Sequence, residues 1–106
     1  MSVYGTHSGV WGVDTEWGFH GGLVDHESAF EPVVFCAVEY RGNSRLSFWG
    51  RDPGLSGFLA EHADDLFVAH NATAEMRYLI RVGVPLPTYW YDTMIEERYC
   101  TSRRFS

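Results

Sequence analysis

The chain has little cysteine: Cys36 and Cys100 are its two among 106 residues. That excludes the disulfide-dense class of small secreted domains. Cys36 lies inside an apolar run, where a small buried thiol is expected. The expectation is therefore no structural disulfide and a reducing, cytoplasmic setting. No apolar run reaches the ~18 residues of a membrane span, so no membrane partner is expected. The opening residues MSVYGTHSG carry neither the basic nor the apolar region of a secretory signal. Basic residues are also scarce, with eight Lys+Arg against fourteen Asp+Glu and a net charge of −6. A domain that held nucleic acid by phosphate neutralisation alone would be basic. Any nucleic-acid role here must be local, or draw on metal ions or a neighbouring domain. There is no internal repeat and no low-complexity stretch. His7, His20, His26, His62 and His70 show no zinc spacing. No Cys–His pairing suggests nucleophilic catalysis, and Gly18, Gly21 and Gly22 do not lead into a clear helix as a phosphate-binding loop would.

What is present is a globular composition, 45% apolar and 16% aromatic, with ample apolar surface to offset ordering entropy. Length predicts one domain over 1–106. VWGVDTEW at 10–17 alternates and is rich in Val and Trp, predicting a strand. Residues 18–31 read as a polar loop. VVFCAVEY at 33–40 is a nearly continuous apolar run that predicts a strand covered on both faces. Arg41 to Ser44 are turn chemistry, and RLSFWG at 45–50 alternates with Leu46 and Phe48 on one face. These three strands read as an antiparallel meander. The pattern then changes. Asp52 is an N-cap with Pro53 at the first helical position, and Leu55, Phe58, Leu59 and Ala63 follow at helical spacing. LFVAH at 66–70 predicts a short buried strand. Asn71 or Thr73 caps a second helix with an inner stripe of Met76, Leu79 and Ile80. Gly83 stops it, with Pro85 just beyond. Tyr89 to Asp92 predict a fifth strand, and Thr93 opens a helix through Tyr99. The order β-β-β-α-β-α-β-α predicts an α/β fold with a mixed sheet and helices on its faces.

Asp14 and Glu16 sit two apart on a strand and so share a face, with Cα atoms ~6.6 Å apart. Two carboxylates on one face of an apolar strand need positive compensation, and hard divalent cations provide it. The competing reading is a solvated edge strand, which the short Asp-x-Glu pattern alone favours. Glu75 lies in the first turn of a helix that begins where the preceding strand ends at His70. Sites gather at such junctions. Glu75 is then a third carboxylate, or an acid that stabilises the helix dipole. Asn71 has a cap as its alternative role. Asp92 precedes a helix start, so capping is its default role, and Glu96, Glu97 and Arg98 read as a solvated face. His20 and His26, with Asp25 and Glu27, read as a solvated loop before a metal-binding one. Trp17 and Phe19 are core residues before they are base-stacking ones.

Taken in order, VDTEW, the meander, LFVAHNATAE, GVPLP and DTMIEERY resemble the 3′–5′ exonuclease domain of family A DNA polymerases. That domain is of the DEDD superfamily on the ribonuclease-H-like fold. Phage- and plasmid-type members, whose second motif carries Glu, are the most similar, and the likeness runs from about residue 10 to residue 100. The resemblance implies that Asp14 and Glu16 are the metal-holding carboxylates of the first motif and that Glu75 is the acid of the second. It implies catalytic and metal roles for all three, with two Mg²⁺ or Mn²⁺ ions. It sets Asn71 at the substrate site and gives Asp92 a structural role rather than ligation; His70, which caps the strand end or lines the site, and Thr15 are the other candidate substrate-binding residues. The implied reaction is hydrolysis of the 3′-terminal phosphodiester of single-stranded DNA, as proofreading beside a polymerase domain in the same or a partner chain.

The likeness is incomplete at its third motif, which supplies a Tyr or His and a last metal-binding Asp. Tyr99 is followed four residues on by Arg103, not by an acid. The expectation is a domain truncated before its last helices: the first piece of a longer polymerase, a degenerate domain, or one completed by a partner chain. Apolar sheet surface would then be exposed, and a homo-oligomer or a docked partner would cover it. The alternative function is a non-catalytic ribonuclease-H-like module that binds DNA or a replication partner.

Overall fold

The computed structural model describes residues 9–19 and 30–95. Within them the chain runs β1 (Val10–Phe19), β2 (Phe30–Glu39), β3 (Arg45–Trp49), α1 (Pro53–Glu61), β4 (Leu66–Ala69), α2 (Ala72–Val82) and β5 (Tyr89–Asp92). The five strands form one mixed sheet in the order β3-β2-β1-β4-β5. The first three strands pair antiparallel, while β4 lies parallel to β1 and β5 parallel to β4. The α/β class, the antiparallel meander and the added parallel strands agree with the sequence reading. Residues 93–95 are helical, and the rest of the helix expected through Tyr99 lies outside the described residues.

The hairpin of β1 and β2 is longer than the composition suggests. Gly18 pairs with Glu31 and Phe19 with Phe30, so the ends of the expected 18–31 loop belong to strands. Gly18 and Pro32 are strand-weakening residues. The register shift between Glu16 and Trp17 accommodates them, placing Pro32 opposite Trp17 where a bulge relaxes the need for its missing N–H.

Side-chain alternation gives the sheet two unlike faces. Trp11, Val13, Phe35, Ala37, Phe67 and Ala69 point to one face and form a single buried cluster with Leu55, Phe58 and Leu59 of α1 and Ala72, Tyr78 and Leu79 of α2. Both helices therefore cover the same face, not one face each. Each such large apolar side chain contributes roughly 1.5–3 kcal/mol. The stripe on α2 also differs from expectation: Tyr78 is fully buried, while Ile80 is 64% exposed. On the opposite face Val34 is buried but Val38 is 43% and Trp49 65% exposed. The apolar run of β2 is thus covered on both sides at only one end. Cys36, expected to be buried, is a half-buried free thiol on this second face, with Sγ 3.8 Å from Ser47 Oγ.

The helix ends follow local chemistry. Asp52 Oδ1 accepts the Gly54 N–H at 2.8 Å, with Pro53 at the start of α1. Gly83 closes α2 in the left-handed region at φ 85°, its N–H bonded to the Leu79 and Ile80 carbonyls, a position glycine occupies without steric cost. Among the described residues no helix is long and apolar enough to cross a membrane.

Candidate functional site

The site is built at the fork between β1 and β4. The two strands pair only from Val10 to Gly12 against Leu66 to Val68. Beyond Gly12 no strand of the described residues lies beside this edge of β1, and the chain leaving β4 turns through His70 and Asn71 into α2. Its first turn fills the gap, and the carboxylate of Glu75 reaches back to β1. Thr15 Oγ1 donates to Glu75 Oε1 at 2.9 Å, and the Thr15 backbone N–H donates to the same carboxylate.

Glu75 is 4% exposed. Its carboxyl is held above the usual glutamate value. Burial is the first cause, the hydroxyl of Thr15 opposes it, and the negative charge of Asp14 adds to it. Among the described residues no basic side chain enters that balance. A buried carboxylate whose charge is opposed by that of Asp14, with neutral donors to satisfy it, is an unfavourable arrangement without positive compensation.

Asp14 and Glu16 are both exposed and share the face of β1 opposite Thr15, as the period of two requires. Asp14 and Glu75 are brought close enough to repel one another; nothing comparable joins Glu16 to Glu75. Among the described residues, no group of three or more His, Cys, Asp or Glu side chains is gathered so as to hold a metal ion. The register shift falls directly after Glu16, at the point where a bulge re-aims a strand. Two hard oxygen donors suit one Mg²⁺ or Mn²⁺, a cation that keeps several of its waters and takes one or two carboxylates. The donor set thus fits a single cation; a second would need a further acid.

Asn71 stands at the N-cap position, but its side chain makes no cap bond, and its carbonyl accepts the Ala74 and Glu75 N–H groups. Asp92 takes over the capping. Its Oδ2 accepts the Ala72 N–H at 2.9 Å, and its Oδ1 accepts the Met94 N–H at 2.9 Å and the Ile95 N–H at 3.3 Å. His70 is exposed, with Nδ1 3.0 Å from Thr93 Oγ1; the sequence reading marked Thr93 as a helix start and missed this contact, because the two residues lie 23 positions apart. A cavity of about 280 Å³ opens on the second face of the sheet, between Gly12, Val38 and Val68, with Asp14, His70 and Thr93 also lining it. Trp17 packs edge-on to Tyr78 with ring centroids 5.5 Å apart, a core role. His20, Asp25, His26, Glu27, Glu96, Glu97, Arg98, Tyr99 and Arg103 lie outside the described residues.

No family model, no curated protein and no solved structure matches this chain.

Proposed function

We propose that this chain is a ribonuclease-H-like, metal-dependent 3′–5′ exonuclease domain that serves a DNA polymerase in proofreading. The observation that carries the reading is the buried Glu75 carboxylate, hydrogen-bonded by Thr15 of β1 and subject to the negative charge of Asp14. The strand order β3-β2-β1-β4-β5, with acids at the fork of the parallel pair β1 and β4, supports the same fold assignment. It joins the motif order VDTEW, LFVAHNATAE and DTMIEERY, which resembles that family.

Asp14 and Glu75 hold the cation, and Glu16, exposed on the same face as Asp14, is the third acid of the proposed set. When bound, a divalent cation lowers the pKa of a coordinated water and stabilises charge on phosphoryl oxygens. It also resolves the charge problem, since an acidic site does not hold a phosphate by itself. His70 and Asn71, exposed at the strand end, face the sugar–phosphate of the 3′ terminus. Asp92 holds the start of α2, and through it Glu75, in place.

The second reading is a non-catalytic module on the same scaffold that binds DNA or a replication partner. It is favoured by the lack of a gathered third acid among the described residues.

The test is a nuclease assay on 5′-labelled single-stranded DNA with Mn²⁺, using wild type, Asp14→Ala and Glu16→Ala. Stepwise shortening by the wild type alone is the expected result. Equal shortening by all three overturns the assignment. No shortening, with a melting temperature that Mn²⁺ leaves unchanged, favours the non-catalytic module.

A further inference from the structure

Glu75 belongs to α2 and Asp14 to β1, so whether they can share one cation depends on how the helix carboxylate is held against the strand. Of the described side chains, only Thr15 donates a hydrogen bond to it, at 2.9 Å. The Thr15 N–H donates to the same group. Besides Glu75's own N–H, both donors belong to one residue, and its N–H sits on the planar peptide unit that follows Asp14. The grip therefore fixes Glu75 relative to Asp14, not merely relative to the sheet. A carboxylate offers about four lone-pair positions, so the grip leaves acceptor capacity for a cation. Packing does not require an acid here: a neutral amide in the same place would avoid burying charge.

We infer that Thr15 is the positioning residue of the site, its hydroxyl holding Glu75 where it shares one divalent cation with Asp14. The inference rests on the metal-dependent reading above. It assigns to Thr15 an action through Glu75, in place of the direct substrate contact expected of it from the sequence. Partners that orient a ligating carboxylate typically change metal affinity by about 10–100-fold when removed.

The experiment uses the full chain and Mn²⁺ alone, with free Mn²⁺ read from its electron paramagnetic resonance signal. Wild type is compared with Thr15→Val, Thr15→Ala and Thr15→Ser, and melting temperatures are recorded without metal. Valine preserves the β-branched shape that suits a strand, and alanine removes the hydroxyl by another route. The expected result is Mn²⁺ affinity weakened about 10–100-fold in Thr15→Val and Thr15→Ala, and restored to within a few-fold in Thr15→Ser. Wild-type affinity in Thr15→Val overturns the positioning role and leaves the metal site standing. Loss in Thr15→Ser equal to that in Thr15→Val also overturns it, because the hydroxyl is then not the cause. A wild type that takes no Mn²⁺ overturns the metal site itself and this role with it.

Discussion

The carboxylate of Asp92, at the end of β5, caps the first N–H of α2 at Ala72 across 20 positions of sequence, at 2.9 Å. The same side chain receives the N–H groups of Met94 and Ile95. One acid thus satisfies orphan donors at two successive helix starts, and Asn71 is left without a capping role for its side chain. The helix it holds is the one that carries Glu75.

Asp92→Ala is therefore expected to destabilise the fold by about 1–3 kcal/mol, the range for losing a cap and stranding its donors. A drop in melting temperature of roughly 4–8 °C per kcal/mol follows for a domain of this size. Mn²⁺ affinity per folded molecule should change far less than in Asp14→Asn. A melting curve and a Mn²⁺ titration on each variant check this. If Asp92→Ala loses metal without losing stability, Asp92 is a ligand and the capping account is wrong.

Glu75 makes stability depend on pH in a definite direction. Its folded carboxyl is raised above the reference 4.5, mainly by burial. Between 4.5 and that raised value the folded chain keeps a proton that the unfolded chain has released. The contribution of Glu75 to stability must fall as pH rises through this window and level off above it. Glu75→Gln removes the titration, so its melting temperature relative to wild type should climb from pH 4 to neutrality. A constant difference across that range would show that the carboxyl is not strained by its surroundings. Saturating Mn²⁺ should reverse the trend in the wild type, because a cation favours the ionised form.

What could be read from the sequence depended on how local the physics is. Asp52 with Pro53, and Gly83 with its left-handed backbone, announce helix ends through their own chemistry. The alternation of β3 placed Leu46 and Phe48 together because a strand has only two faces. The inner stripe of α2 was less legible. Adjacent residues on a helix differ by 100° in direction, and the packing against Trp17 and Phe35 decides that Tyr78 goes in and Ile80 out. The candidate site divides in the same way. Asp14 and Glu16 stand out by spacing. The grip of Thr15 on Glu75 spans 60 positions and exists only once β1 and α2 are packed.

The other buried acid among the described residues, Asp65, yields a sharper test of packing. Asp65 Oδ2 accepts the indole N–H of Trp11 at 3.0 Å and lies 2.7 Å from His62 Nδ1. It joins the end of α1 to β1 beneath the Trp11 and Phe58 rings, whose centroids are 4.9 Å apart in an edge-on contact. The carboxylate needs room, and Gly9 supplies it: a Cβ there would lie 2.7 Å from Asp65 Cγ. Gly9 also stays tied to the next strand, its carbonyl accepting the Leu66 N–H at 2.9 Å, so the backbone does not simply move aside. Asp65→Ala should cost about 1–3 kcal/mol by leaving the buried indole donor unmatched. Gly9→Ala should destabilise as well, by displacing the carboxylate from both partners. The two changes act on one contact, so they should not add: Gly9→Ala made on top of Asp65→Ala should cost much less than in the wild type. Urea melts of the four proteins measure the coupling. Additive losses would mean that Gly9 is needed for its backbone alone and that the carboxylate does not depend on the space it leaves.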